Sequence, residues 1–160
     1  MHPLNRSWVV WFHNPDDSDW SFESYIELSK IDSIESFWNI YNNIEKVNIE
    51  NGMFFLMKEG IKPLWEDEKN KKGGSWSFKI LKRNVYDTWL DVCINCVNET
   101  ILKDINKSKM ITGLSISPKK SFCIIKIWNN DKKENDKELL NSNMLNMNLK
   151  ECLYKAHSNR

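Results

Sequence analysis

Two tryptophans, one carboxylate and a pair of lysines carry the chemistry that this sequence can offer. Trp20 follows the polar run Asn14-Pro15-Asp16-Asp17-Ser18-Asp19, and Trp65 lies between Pro63 and Glu66-Asp67-Glu68. Both read as loop residues, where burial alone does not place so large a ring. Indoles held on loops offer flat π faces and can grip another flat ring, such as a nucleobase or a cationic ligand. Two of them can cover a base above and below. Glu66, beside one of them, can accept hydrogen bonds from a ring N–H and an exocyclic amine lying in the plane of that base. Guanine presents that pair of donors on its Watson–Crick edge, and a charged acceptor binds them more strongly than a neutral one. A positive charge on the base, through N7-methylation, adds a cation–π contribution of about 0.5–2 kcal/mol. Lys119 and Lys120, in a turn opened by Pro118, then suit the phosphate chain of the same ligand. A plainer alternative has equal standing at this point. Glu66 is then one of several solvated carboxylates, and the two lysines form an ordinary polar turn.

The bulk properties leave room for that site without demanding it. Eight tryptophans in 160 residues is a high count, and apolar content of 41% with 28% charged residues is ordinary for a soluble globular chain. The length suits one domain, residues 1–160, with a single sizeable core. The formal net charge of +1 supplies no global field for nucleic acid, so phosphate binding must come from a local lysine cluster. No apolar run approaches the roughly 20 residues of a membrane span. His2-Pro3-Leu4-Asn5-Arg6 lacks the apolar core of a signal peptide, so a cytoplasmic chain with reduced cysteines is expected. Cys93 and Cys96 form a C-x-x-C pair inside a helical pattern with no second pair and no nearby His. Small core residues, not metal ligands, are the reading for them and for Cys123 and Cys152. No cofactor is expected.

The elements that must hold these residues follow from periodicity. Residues 7–12 alternate with apolar side chains on both faces, which predicts a central strand. Further strands are expected over 25–30, 53–57, 76–80, 111–117 and 122–128, the last two as a hairpin, and over 148–155. Asp32 or Ser33 reads as an N-cap for a helix over 34–44, whose apolar stripe is Ile34, Phe37, Trp38, Tyr41 and Ile44. A second helix is expected over 85–97 and a third over 137–145. Strands with antiparallel neighbours and interleaved helices make the class α+β.

The residues around Trp65 go further. Gly60-Ile61-Lys62-Pro63-Leu64-Trp65-Glu66-Asp67-Glu68-Lys69-Asn70 and its Gly73-Gly74-Ser75-Trp76 ending resemble the central signature of the eukaryotic translation initiation factor 4E family, the mRNA cap-binding proteins. His2-Pro3-Leu4, Trp8 and Trp11-Phe12 resemble the family's opening, and Ile34-Glu35-Ser36-Phe37-Trp38 resembles its V-E-x-F-W helix. All eight tryptophans have family counterparts in the same order. The resemblance implies a single curved antiparallel β-sheet with about three helices on its convex face. It implies that Trp20 and Trp65 sandwich 7-methylguanine, that Glu66 reads its edge, and that Trp128 contacts the methyl group. Lys119 aligns with a phosphate-binding basic residue, and Lys120 lies beside it. The convex face of the family docks helices of the form Y-x-x-x-x-L-Φ, from scaffold factor 4G or from repressors. His2, Pro3, Ile34, Trp38, Trp89 and Leu90 match that surface, with Trp38 the expected anchor, although its helix position also suits a core residue.

Two departures stand out. Ser75 and Ile124 occupy places where the family usually carries basic residues, and Lys126, on the Trp128 face by alternation, or Lys72 can compensate. The sequence given stops at Arg160, before a loop that in the family covers part of the cap. The function expected is non-enzymatic binding of capped mRNA and recruitment of a scaffold by a monomer. A repressor of the same fold that does not engage the scaffold is the alternative. A cap-modifying enzyme lacks its Gly-rich fingerprint here, and an aromatic-platform lectin leaves the Trp-Glu-Asp-Glu segment unexplained.

Overall fold

Alternation along the first strand sets the architecture. In the computed structural model, which describes residues 1–159, β1 (Pro3–His13) turns Trp8 and Val10 toward a helix-covered core and Trp11 toward the opposite face. The other strands are β2 (Ile26–Ser33), β3 (Met53–Lys58), β4 (Gly74–Leu81), β5 (Ile111–Pro118), β6 (Phe122–Asn129) and β7 (Leu153–Ala156). They form one curved sheet in the order β2-β1-β3-β5-β6-β4-β7, antiparallel throughout. Neighbours in this order are often far apart in sequence, which suits the α+β class.

Helices α1 (Ile34–Tyr41), α2 (Lys46–Asn51) and α3 (Lys82–Val97) cover one face. Ser33 caps α1: its hydroxyl accepts from the Ser36 N–H, and its own N–H donates back to Ser36 Oγ, both at 3.0 Å. Such a cap is worth about 1 kcal/mol. α1 stops at Tyr41, three residues short of the expected end. Asn42 and Asn43 follow, and asparagine side chains compete for the backbone bonds that would prolong a helix. α2, absent from the sequence expectations, is six residues long, under two turns, and docks through Ile49, 1% exposed.

The expected helix over 137–145 is not formed. A single 3-10 turn, Lys137–Leu139, is capped by Asp136, and Leu140 then bridges to Leu102. Asn141 turns its side chain onto the Asn143 N–H at 3.0 Å, which commits the backbone to a turn. The last strand is also shorter than expected: Asn148 caps a 3-10 turn over Leu149–Glu151, and pairing begins only at Leu153.

The second face of the sheet carries its own small apolar cluster. Phe55, Met57 and Trp128 are buried there, flanked by Trp11, Tyr25, Met53, Ile61 and Trp65. This floor is what the candidate site stands on. The four cysteines are buried and free, and burial pushes the Cys96 thiol far above its ordinary value. Among the described residues no group of three metal-ligating side chains occurs, and no helix is long and apolar enough to cross a membrane.

Candidate functional site

The segment from Gly60 to Gly74 has almost no regular structure, yet it is tied down by two polar side chains. Asp67 accepts from the Lys62 N–H at 2.8 Å and from the Lys69 N–H at 2.9 Å, one on each carboxylate oxygen. Asn70 is fully buried, and its amide donates to the Leu64 carbonyl at 2.8 Å and to that of Lys62 at 3.3 Å. These bonds replace the ladder a strand would have supplied. They fix the turn on which Trp65 and Glu66 project. The loop rejoins the sheet through Gly73 and Gly74. A Cβ at Gly73 would meet the Asn129 carbonyl, and one at Gly74 would meet the Lys155 carbonyl and the Tyr154 ring, so only glycine allows this approach.

Trp20 arrives from the β1–β2 loop. Its indole is half exposed and lies against the imidazole of His13, which is fully buried at the end of β1. His13 Nε2 sits 2.7 Å from the Asp19 carbonyl and 3.1 Å from Ser24 Oγ. A carbonyl only accepts, so Nε2 carries the hydrogen. The neighbour of Trp20 in the chain is thereby pinned to the sheet.

Trp20, Trp65, Glu66, Lys126 and Trp128 all line one open pocket of about 220 Å³, together with Tyr25, Phe55, Ser115 and Ser117 among others. The volume is below that of sites that swallow a whole drug-sized ligand. It suits one ring system with the rest of a ligand outside. Trp128 is 5% exposed and donates its indole N–H to Ser115 Oγ at 3.0 Å. Its ring also packs edge-on to Phe55, with centroids 6.3 Å apart. Tyr25 stands between the two loops, its hydroxyl pKa pushed up to about 12, first by burial and second by the charge of Glu66. Tyr25, Phe55, Ser115, Ser117, Asp67, Asn70 and His13 had no assigned part in the sequence reading. Only Asp67 and Asn70 stand in the recognised motif and could have been found there.

Lys119 and Lys120 are exposed in the β5–β6 turn, where the Lys119 N–H bonds the Phe122 carbonyl, and neither lines the pocket. Ser75 is fully buried in β4 between Trp128 of β6 and Lys155 of β7, and Ile124 pairs with Lys79.

A second surface lies on the helix side. Trp38, 38% exposed, and Ile34 line a groove of about 180 Å³ with Leu4, Phe37, Ile94 and Val97. Trp38 is therefore not a core residue. His2 closes one end of α1: its Nδ1 lies 2.6 Å from Glu35 Oε1 and its N–H 3.1 Å from each carboxylate oxygen. The His2 side-chain bond, and then its backbone bond, hold the Glu35 carboxyl down at about 2. Pro3 opens β1 opposite Ser33. Trp89 is corrected: it is 2% exposed and belongs to the sheet-facing stripe of α3 with Val85, Val92 and Cys93, so it offers no surface to a partner. Leu90 is half-buried beside the core and does not line the groove; Ile94, one turn further along α3, does.

The comparisons with known proteins agree with this geometry. A sequence model of the family described as Eukaryotic initiation factor 4E matches residues 3–160. Eukaryotic translation initiation factor 4E of Candida albicans is 34% identical over 141 residues, covering 81% of this chain and 65% of that protein. Its Xenopus laevis namesake is 33% identical over 141 residues, covering 84% and 65%. The chain thus spans about two thirds of the length of these relatives. The crystal structure of Ascaris suum eIF4E-3 with m7G cap superposes at a TM-score of 0.73, with 28% identity over 83% of this chain and 76% of that one. C. elegans eIF4E-3 in complex with the 4E-binding protein Mextli superposes at 0.82 over 99% and 94%, and at 24% identity that likeness concerns the fold.

Proposed function

The chain belongs to the eukaryotic initiation factor 4E family, and from that premise we propose that it binds the 7-methylguanosine cap of mRNA in the pocket between Trp20 and Trp65. One observation carries the reading: two loop indoles, a carboxylate and a floor tryptophan from three separated segments line a single pocket. The base stacks between Trp20 and Trp65, and Glu66 accepts from its Watson–Crick donors. The methyl group meets Trp128, whose N–H is already engaged and whose ring is left to make the contact. The positive charge of the methylated base strengthens the stack relative to guanine. Lys126 reaches the first phosphates from within the lining, and Lys119 and Lys120 meet the chain beyond it.

The groove beside Trp38 docks a Y-x-x-x-x-L-Φ helix of a 4G-like scaffold, so the protein links capped mRNA to translation initiation in the cytoplasm without performing catalysis. The exposure of Trp38 and Ile34 beside an apolar groove favours this role over a repressor that leaves the scaffold unbound. Titration with 7-methyl-GTP and GTP tests the first part by tryptophan fluorescence. Strong quenching by the methylated nucleotide and far weaker quenching by GTP are expected; equal quenching would remove the cation–π argument. Capture of a Y-x-x-x-x-L-Φ peptide by protein held on cap resin tests the second.

A further inference from the structure

The sheet face that floors the ring pocket continues beyond it. Ser115, Ser117 and Lys126 line the pocket, and the register carries their face onward: Ser115 pairs with Lys126, and Ser117 pairs with Ile124. Alternation along β6 puts Trp128, Lys126, Ile124 and Phe122 on one side. Phe122 thus stands ~7 Å along the strand beyond Ile124, the residue opposite the pocket wall. On β4, Lys79 pairs with Ile124 and Leu81 with Phe122. The helices pack on the other face, so Phe122 and Ile124 are only half-buried and Leu81 is 47% exposed. Lys79 extends its ammonium over the Phe122 ring, 4.3 Å from the centroid. The charged residues of this face on β4 to β7 are Lys79, Lys126 and Lys155, with Lys119 and Lys120 in the adjoining turn and no carboxylate among them. Lys79, Lys119 and Lys120 make no ion pair among the described residues. In a chain whose net charge is only +1, this is a local positive field over an apolar, aromatic floor.

Aromatic rings between lysines are how single-stranded nucleic acid is held, with bases on the rings and phosphates on the cations. Continuity with the pocket says which part of the strand arrives here. A triphosphate leaving the pocket past Lys126 runs along β6 toward the β5–β6 turn, and the nucleoside at its far end comes down on the next same-face side chains. We propose that Phe122 and Ile124 form a platform for the first nucleoside after the cap, with Lys79 and Lys119 taking the phosphates beside it, an inference that rests on the cap reading of the pocket. Trp20 and Trp65 grip their base from two sides, whereas this platform supports the next base from one. It therefore adds affinity without reading a particular sequence, because every base has a π face. An acidic peptide would satisfy the lysines, but its carboxylates have no use for the ring and apolar side chains between them.

The test compares three ligands by isothermal titration: 7-methyl-GTP, the capped dinucleotide m7GpppA, and the same dinucleotide with a bare ribose in place of adenosine. Wild type should bind m7GpppA about fivefold more tightly than the ribose compound, the low end for one stacked base. Phe122→Leu keeps the apolar bulk and should lose most of that advantage, while Phe122→Tyr keeps the ring and should retain it. Both variants should bind 7-methyl-GTP as wild type does, which also reports that they are folded. For a capped five-nucleotide RNA, Lys79→Gln should lower the slope of log affinity against log salt by about 0.7, one single-strand phosphate contact. An m7GpppA affinity no better than that of the ribose compound, or an advantage that survives in Phe122→Leu, would overturn the platform, and an unchanged slope would overturn the part given to Lys79. Binding of a polyglutamate peptide that is lost in Phe122→Leu while the dinucleotide is unaffected would give the face to an acidic protein instead. Intact 7-methyl-GTP binding without the adenosine advantage fails the platform alone; a wild type that ignores 7-methyl-GTP fails the cap reading and the platform with it.

Discussion

The imidazole of His13 lies flat on the indole of Trp20, with ring centroids 4.0 Å apart and planes 11° from parallel. One face of Trp20 is therefore occupied by the protein, and the other is left for the pocket it lines. His13 acts twice on the same ring, by stacking and by its bond to the Asp19 carbonyl next to it in sequence. An aromatic pair is worth about 0.5–1.5 kcal/mol and a hydrogen bond about 1 kcal/mol. His13→Ala should weaken 7-methyl-GTP binding by about tenfold, within that range of energies. His13→Phe keeps the stack and loses the bond, so an intermediate loss is expected. Fluorescence titration reads both, and wild-type affinity in the alanine variant would show that Trp20 needs no support from behind.

Glu66 is exposed at the pocket edge, and its charge is felt by the half-buried hydroxyl of Tyr25. Glu66→Gln retains one acceptor but presents an amide N–H where a second guanine donor must fit. Glu66→Ala removes both acceptors. Binding of 7-methyl-GTP should fall in both and be nearly abolished in the alanine variant, since the charged partner of two donors is lost. Isothermal titration separates the two, and retention of wild-type affinity by Glu66→Ala would relocate the site.

How much of this was legible in the sequence depends on how local each feature is. Trp8 and Trp11 on opposite faces of β1, the hairpin of β5 and β6, and a helix cap at Asp32 or Ser33 were all readable, because alternation and capping are properties of adjacent residues. α2 was not, since six residues are too few to show a period and its stability comes from docking Ile49. A helix is expected over 137–145, but its asparagines favour turns and prevail. In the site, Trp20, Trp65 and Glu66 could be proposed from their own neighbourhoods. Ser115 beneath Trp128 and His13 beneath Trp20 could not, because strand register and loop folding bring them there. Trp89 was assigned to the surface by resemblance, whereas its place on α3 in line with Val85, Val92 and Cys93 buries it.

Asp67 does not itself line the pocket, yet its side chain holds the loop that does. Asp67→Ala leaves the Lys62 and Lys69 N–H groups without their acceptor and loosens the turn under Trp65. Because both bonds are local to an exposed loop, thermal unfolding should shift only a few degrees, consistent with a loss of about 1 kcal/mol. Affinity for 7-methyl-GTP should fall by about tenfold, an expense of about 1.4 kcal/mol in positioning. A variant that binds normally while unfolding earlier would assign Asp67 to stability alone.

Lys58, at the end of β3, donates to the Lys109 carbonyl at 2.8 Å, and its amine is held down to about 8, first by burial and then by the nearby charge of Arg6. The unfolded chain releases this proton near its ordinary value of 10.5. Below pH 8 both states carry the charge, and the cost of burying it is fully present. Between 8 and 10.5 the folded state binds fewer protons than the unfolded one, so this contribution to stability rises with pH. Urea unfolding of wild type and Lys58→Met should therefore show a stability difference that moves in favour of wild type across that window. The Cys96 thiol feels the Lys58 charge, but burial holds it so far above its ordinary value that it stays protonated in the folded state of both proteins across this window. A difference that stays flat from pH 7 to 10.5 would mean that Lys58 is solvated in solution.

Trp38 stands on α1 with its indole partly in solvent, supported edge-on by Phe37 at 5.1 Å and flanked across the groove by Ile94. Because Phe37 is buried and carries the packing of this turn, truncating Trp38 leaves the core contacts of α1 in place. Trp38→Ala should then change stability little while removing the anchor of the groove. Loss of a tryptophan anchor costs about 2 kcal/mol or more, so a Y-x-x-x-x-L-Φ peptide should bind about thirtyfold more weakly. Cap-analogue affinity should be unaffected, because the ring pocket stands on the other face of the sheet. Trp89→Phe makes the contrasting case. Trp89 is buried in the stripe of α3, so that change should lower thermal stability and leave peptide affinity per folded molecule unchanged. Weakened peptide binding by fully folded Trp89→Phe would show that the buried indole supports the groove after all.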